Sequence, residues 1–114
     1  MIYLDLDGTL ADFNAGCRLH GVEVVRDQDM ARDQMTAAQR DCDDRMRELM
    51  NTPGFFEDLP PMPDVDVLWH FCERFEPVIL TARPRDDAAG ERVAREKRAW
   101  VHRAQGWAGA NSGR

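Results

Sequence analysis

Hydrophobic and polar positions change period several times along the chain, and each change predicts an element. Residues 2–6 (Ile2-Tyr3-Leu4-Asp5-Leu6) form a short apolar run interrupted by Asp5, the pattern of a strand buried on both faces in a parallel sheet. Residues 11–20 read as a short helix leaving that strand, broken at Gly21-Val22. From about residue 28 to Met50, a stripe of Met35, Ala38, Cys42, Met46 and Leu49 recurs at helical spacing with charges between. Asn51-Thr52-Pro53-Gly54 is a turn signal, and residues 55–63 are irregular, rich in aromatics and prolines. Asp64 stands where it can cap a second helix with a stripe of Val65, Leu68, Cys72 and Phe75. Pro77 opens a second strand, Val78-Ile79-Leu80, which ends at Thr81-Ala82-Arg83-Pro84. A third helix is expected from about Asp86 to Ala104, followed by a Gly-, Ala- and Ser-rich tail over residues 105–114.

Strand, helices, strand, helix is the order of an α/β domain, and 114 residues leave room for one. A composition that is 43% hydrophobic and 32% charged is that of a globular chain. The net charge of −6 argues against a polynucleotide partner, because neutralising a phosphate backbone needs clustered Lys and Arg. A small phosphorylated substrate remains compatible, since one local basic pocket can hold it. Cys17, Cys42 and Cys72 are odd in number and widely spaced, so neither a disulfide framework nor a CxxC metal site is expected, and reduced thiols in the cytoplasm are. Met1 leads directly into the first strand without a basic leader, and no apolar run reaches membrane-spanning length, so neither a signal peptide nor a membrane partner is expected.

Chemistry enters with Asp5 and Asp7. Residues two apart on a strand face one side, and the C-terminal end of a strand is where open α/β sheets bind ligands. Two adjacent carboxylates repel unless a cation joins them, and hard oxygen ligands suit Mg²⁺. One carboxylate can attack phosphorus to form an aspartyl-phosphate, while the other protonates the leaving oxygen and then activates water. Gly8 permits the sharp turn that follows, and Thr9 can offer a hydroxyl or N–H to a phosphate. A structural Asp-rich turn is the competing account, but a carboxylate pair inside an apolar run is costly without a function.

Thr81 follows the second strand and reaches the same sheet edge if the strands run parallel, where its hydroxyl can bind a phosphate oxygen. Arg83 can add a bidentate contact. On a helical wheel Lys97 shares a face with Val93, Trp100, Val101 and Ala104, so its ammonium needs an anion or a route to water. Phe13, Phe55 and Phe56 are candidates to stack on a nucleobase, and residues 54–61 are a candidate lid. Core packing is the alternative for at least one of Phe55 and Phe56.

Together these residues resemble the haloacid dehalogenase superfamily of phosphatases. Asp5-Leu6-Asp7-Gly8-Thr9-Leu10 is similar to its first motif, Leu80-Thr81-Ala82 to its second and Lys97 to its third. Asp5 through Phe13, Pro53-Gly54-Phe55-Phe56-x-Asp58-Leu59-Pro60-Pro61 and Glu96-Lys97-x-x-Trp100-Val101 resemble the 5′(3′)-deoxyribonucleotidase family within it. The resemblance implies a Rossmann-like parallel sheet within a domain of residues 1–104, with a small helical cap of about residues 14–63 inserted after the first strand. It implies Asp5 as nucleophile and Asp7 as acid/base. It places Mg²⁺ on the Asp5 carboxylate and the Asp7 carbonyl, and the phosphate of a nucleoside monophosphate on Thr81 and Lys97. Phe13 and Phe55 or Phe56 would lie near the base.

The chain departs from that pattern at its end. Glu96 is its last acid, whereas the family carries further acidic residues on a later strand that complete the metal site. The expected sheet is therefore incomplete, like that of a C-terminally truncated nucleotidase. Three readings stay open: a Mg²⁺-dependent phosphatase, a non-catalytic nucleotide- or protein-binding remnant of one, and a homodimer in which a second copy covers the exposed sheet edge. A sugar phosphate also remains open as substrate.

Overall fold

Two three-residue strands, β1 (Tyr3–Asp5) and β2 (Val78–Leu80), pair in parallel in the computed structural model. The structure describes residues 1–24, 30–81 and 87–111, with side chains through residue 106. The register sets Tyr3 beside Val78, Leu4 beside Ile79 and Asp5 beside Leu80, and the ladder continues with Leu6 N–H donating to the Leu80 carbonyl at 2.9 Å. Parallel pairing requires a long crossover. It is supplied by α1 (Phe13–Leu19), α2 (Ala37–Met50) and α3 (Val65–Cys72). After β2 comes α4 (Ala88–Asn111), which packs against α3. The result is an α/β fold with a two-stranded parallel sheet.

Local chemistry sets the helix starts. Asp12 caps α1, its Oδ1 accepting from Ala15 N–H at 3.0 Å. Thr36 and Gln39 form a reciprocal capping box for α2, with bonds of 3.1 and 2.8 Å. That box begins α2 well after residue 28, where the methionine-bearing stripe suggested a start; Arg32–Gln34 instead form a separate 3₁₀ turn. Asp64 occupies the N-cap position of α3 but its side chain makes no capping bond. Asp87 starts α4, with Oδ1 accepting from Gly90 N–H at 2.8 Å. Seven residues beyond the expected end at Ala104, α4 is still helical at Asn111. Elongating an existing helix adds a hydrogen bond for each residue fixed, and the Ala and Gln of this stretch favour it without a proline to stop it.

The strands are not buried on both faces. Leu4 and Leu6 point into the core, whereas Tyr3 is 56% exposed and Leu80 45% exposed. Alternating burial is the signature of a sheet covered on one side, and among the described residues the apolar packing lies on that side alone. There Leu4, Leu6 and Leu10 join Cys17, Phe56 and Trp100 in one cluster. The methionine-bearing face of α2 meets it through the partly buried Met46 and Met50. A buried Asp43 on α2 takes Arg32 at 2.8 Å and Arg47 at 3.0 Å, which ties the 3₁₀ turn to the helix.

All three cysteines are free, with Cys17 and Cys72 buried. Burial pushes the Cys17 thiol above its ordinary pKa, against a smaller opposing pull from Arg18. It therefore packs as a protonated, apolar group. Among the described residues no helix is long and apolar enough to cross a membrane.

Gly16 marks where α1 meets the chain returning toward the sheet. A Cβ placed there would stand 2.4 Å from Leu59 Cδ2, and Leu59 is itself buried. Gly16→Ala is expected to destabilise the fold by up to about 2 kcal/mol, because overpacking costs about 1–3 kcal/mol and helix propensity returns about 1. A lowered urea midpoint at unchanged slope is the expected observation; a raised midpoint would refute the close packing.

Candidate functional site

Parallel pairing carries the ends of β1 and β2 to one edge of the sheet. Asp5 stands opposite Leu80, so Thr81 leaves β2 beside the turn that follows β1. That turn is tight. Leu10 and Ala11 N–H both donate to the Leu6 carbonyl, at 3.0 and 2.9 Å, and Gly8 N–H donates to the Ala11 carbonyl at 2.8 Å. Gly8 sits at φ +82°, a conformation that residues with a Cβ rarely adopt. The Asp-x-Asp-Gly order thus has a mechanical meaning: the glycine reverses the chain immediately after the second carboxylate. Burial continues to alternate past the strand, with Leu6 buried and Asp5 and Asp7 both open to solvent on the other side.

Lys97 reaches this edge from α4. Its Nζ donates to Thr81 Oγ1 at 2.7 Å and to Asp7 Oδ2 at 3.1 Å, and lies 4.9 Å from the centre of the Phe56 ring. The residue is 7% exposed. An ammonium has three N–H donors, so these two bonds leave a third. Thr81 Oγ1 accepts from Lys97, which leaves the hydroxyl hydrogen for another acceptor. Asp7, Thr81 and Lys97 therefore form one hydrogen-bonded cluster drawn from three distant parts of the chain. Thr81 and Lys97 also line an open, mostly apolar groove of about 400 Å³ with Leu6, Ile79, Val101 and His102, while Asp5 and Asp7 are not among its lining residues.

A second contact system runs along α4. Arg92, Glu96, Trp100 and Arg103 recur at helical spacing, and each bonds main-chain atoms of residues 50–59. Arg92 donates to the carbonyls of Thr52 at 3.0 Å and Met50 at 3.3 Å. Glu96 Oε1 accepts from Phe56 N–H at 3.1 Å, and its Oε2 accepts from Arg92 at 2.7 Å. Trp100 Nε1 donates to the Leu59 carbonyl at 2.7 Å, and Arg103 donates to that of Glu57. The anchored segment then returns to the first turn: Asp12 N–H donates to the Pro60 carbonyl and Met62 N–H to that of Leu10, both at 2.8 Å. Residues 54–61 are thereby fastened down instead of forming a lid.

The aromatic candidates divide. Phe55 and Phe56 are 6% and 3% exposed, so both serve as core, edge to face with ring centres 5.4 Å apart. Phe13 is half-buried, its ring stacked on Phe56 at 6.2 Å and edge to face with Phe55 at 5.8 Å. Arg83 lies outside the described residues. Among the described residues no cluster of three or more His, Cys, Asp or Glu side chains is arranged to hold a metal. Sequence reasoning missed Arg92, Glu96 and Trp100 as a set. Their shared side of the helix was visible from their spacing, but their targets are backbone atoms, which carry no sequence signal.

The sequence matches the family described as 5' nucleotidase, deoxy (Pyrimidine), cytosolic type C over residues 1–107. It is also similar to a human protein described as 5'(3')-deoxyribonucleotidase, cytosolic type. The two are 35% identical over 72 aligned positions, which take in 54% of this chain and 36% of the relative. The chain thus spans about a third of the length of that relative.

Trp100 is the anchor of this arrangement that a conservative change tests most directly. Trp100→Phe keeps much of the apolar volume but leaves the buried Leu59 carbonyl without its donor. A loss of about 1–3 kcal/mol is expected from urea unfolding. An unchanged midpoint would show that the bond contributes little.

Proposed function

Because the chain belongs to the 5' nucleotidase, deoxy (Pyrimidine), cytosolic type C family, we propose that it is a cytoplasmic phosphomonoesterase that hydrolyses nucleoside monophosphates to nucleoside and phosphate. The observation that carries the reading is the junction of Asp7, Thr81 and Lys97 at the sheet edge where Asp5 ends β1. Thr81 and Lys97 hold the phosphate through the donors they have left, and Arg83 adds a further cation. The Asp5 carboxylate attacks phosphorus and the ester P–O bond breaks, with Asp7 giving a proton to the leaving oxygen. Asp7 then takes a proton from water, whose oxygen attacks the aspartyl-phosphate and frees both Asp5 and inorganic phosphate.

Mg²⁺ suits the donor set, since it is commonly bound by one or two carboxylates together with substrate phosphate. The Asp5 carboxylate and the Asp7 carbonyl would hold it, and it would offset the negative charge that the phosphate brings to the site. Phe13, half-buried where Phe55 and Phe56 are buried, is the aromatic residue best placed to meet a base, with both of those rings packed against it. The exposed Tyr3, Val78 and Leu80 form an apolar strip on the uncovered face of the sheet. A second copy of the chain that covers the exposed edge of this sheet would make a homodimer, for which light scattering at twice the monomer mass is the expected result.

The direct test is phosphate release from a panel of deoxynucleoside monophosphates, with and without Mg²⁺. Turnover is expected only with the metal and should fall at least about 10³-fold in Asp5→Asn, as for removal of a nucleophile. Wild-type release no greater than that of the mutant would overturn catalysis. It would favour a binding module instead.

A further inference from the structure

Glu96 precedes Lys97, is 7% exposed, and has no part in the chemistry proposed above. Burying a carboxylate is costly, and a residue that merely packed α4 would be apolar. Both of its oxygens are instead engaged, and in different tasks. Oε2 pairs with Arg92, and Oε1 accepts the main-chain N–H of Phe56. The second bond fixes the backbone of the residue whose ring lies 4.9 Å from the Lys97 ammonium. A cation this close to an aromatic face is attracted to it.

We propose that Glu96 is a positioning residue for phosphate binding. By holding Phe56 through its N–H, Glu96 keeps the ring against the Lys97 ammonium and confines that ammonium to the side facing Asp7 and Thr81. A lysine side chain has many rotamers to give up when it is held against an anion. Held in advance, the ammonium meets an anion at less ordering cost than a free one would. The inference deepens the phosphatase reading and rests on Lys97 binding the phosphate.

Two substitutions separate the tasks of Glu96. Glu96→Gln has one acceptor oxygen, kept for the Phe56 N–H, and turns its NH2 donor toward Arg92, which gives up that pair and retains the carbonyls of Met50 and Thr52. Glu96→Asp keeps the charge but withdraws the carboxylate by one bond, about 1.5 Å, beyond reach of that N–H. Calorimetric titration with inorganic phosphate, and KM and kcat for a phosphate monoester lacking a base, read the outcome. Glu96→Asp is expected to weaken phosphate binding and raise KM about tenfold with kcat nearly unchanged, as small misplacements of a binding group do. Glu96→Gln is expected to stay within about threefold of wild type, since its acceptor is retained. The reverse order would assign the role to the Arg92 pair and overturn the proposal. So would equal losses in both variants that track a fall in urea midpoint.

Phe56→Leu, which keeps apolar volume but removes the ring, is expected to match Glu96→Asp and serves if the latter fails to fold. The ε-methylene protons of Lys97, displaced upfield by the ring, report the geometry by NMR without turnover. They should relax toward ordinary values in Glu96→Asp and hold in Glu96→Gln; a wild-type chain without the displacement overturns the proposal. Phosphate binding and the displacement without hydrolysis would refute catalysis and leave the positioning role standing. Hydrolysis without the expected order would refute the positioning role alone, and a wild-type chain that binds no phosphate would overturn both.

Discussion

A buried ammonium must be paired, and most of the site's geometry depends on meeting that requirement at Lys97. The residue sits in the middle of the apolar face of α4, where an unpaired charge would be prohibitive. Its partners are the carboxylate that follows β1, the hydroxyl that follows β2 and the face of Phe56. These lie far apart in sequence, so the one charge fixes the sheet edge, the third segment and the helix relative to each other. The cluster is also incomplete, with donors left on both Lys97 and Thr81, as suits a place where an anion arrives.

The two motifs that point most specifically to a nucleotidase are mechanical counterparts. In Glu96-Lys97-x-x-Trp100-Val101, Glu96 and Trp100 grip the main chain of Gly54-Phe55-Phe56-x-Asp58-Leu59-Pro60-Pro61, while Lys97, one step round the helix, turns to the sheet edge. Because the grip falls on backbone atoms, the path of the segment is held largely independently of its exposed side chains. Pro60 and Met62 then bond the turn after β1, so the same segment that leaves α4 reaches the carboxylates. Residues 54–62 and the sheet are thus joined through α4 as well as through the chain.

Where the structure departs from the pattern in the sequence, the causes are physical. Residues 2–6 read as a doubly buried strand because Tyr3 and the leucines are all apolar, but an apolar residue is buried only if something lies over it. In a two-stranded sheet packed on one side, Tyr3 and Leu80 are left in solvent. The Gly- and Ala-rich stretch after Ala104 read as a tail because glycine weakens helices; the preceding turns supply a template that outweighs it through Asn111. Phe55 and Phe56 read equally well as base-stacking or core residues, since aromatic character alone does not say which way a ring faces. Their burial decides for the core and leaves Phe13 as the half-buried ring of the three.

The sequence by itself determined the elements and the chemistry available. Two carboxylates two residues apart before a glycine, a threonine after the second strand and a lysine within an apolar helical stripe are local facts, written in residue type and spacing. Capping at Asp12 and Thr36 and the reversal at Gly8 are local in the same way, because they act over a few residues of backbone. The resemblance put Thr81 and Lys97 at one phosphate; only the tertiary structure decided the contacts that join them to Asp7, that Glu96 takes the N–H of a residue forty positions away, and that one face of the sheet stays open among the described residues. Those outcomes depend on parallel register and on the alignment of α4 with a turn-rich segment. Both are settled by long-range packing and by backbone groups common to every residue, and neither leaves a mark on the sequence.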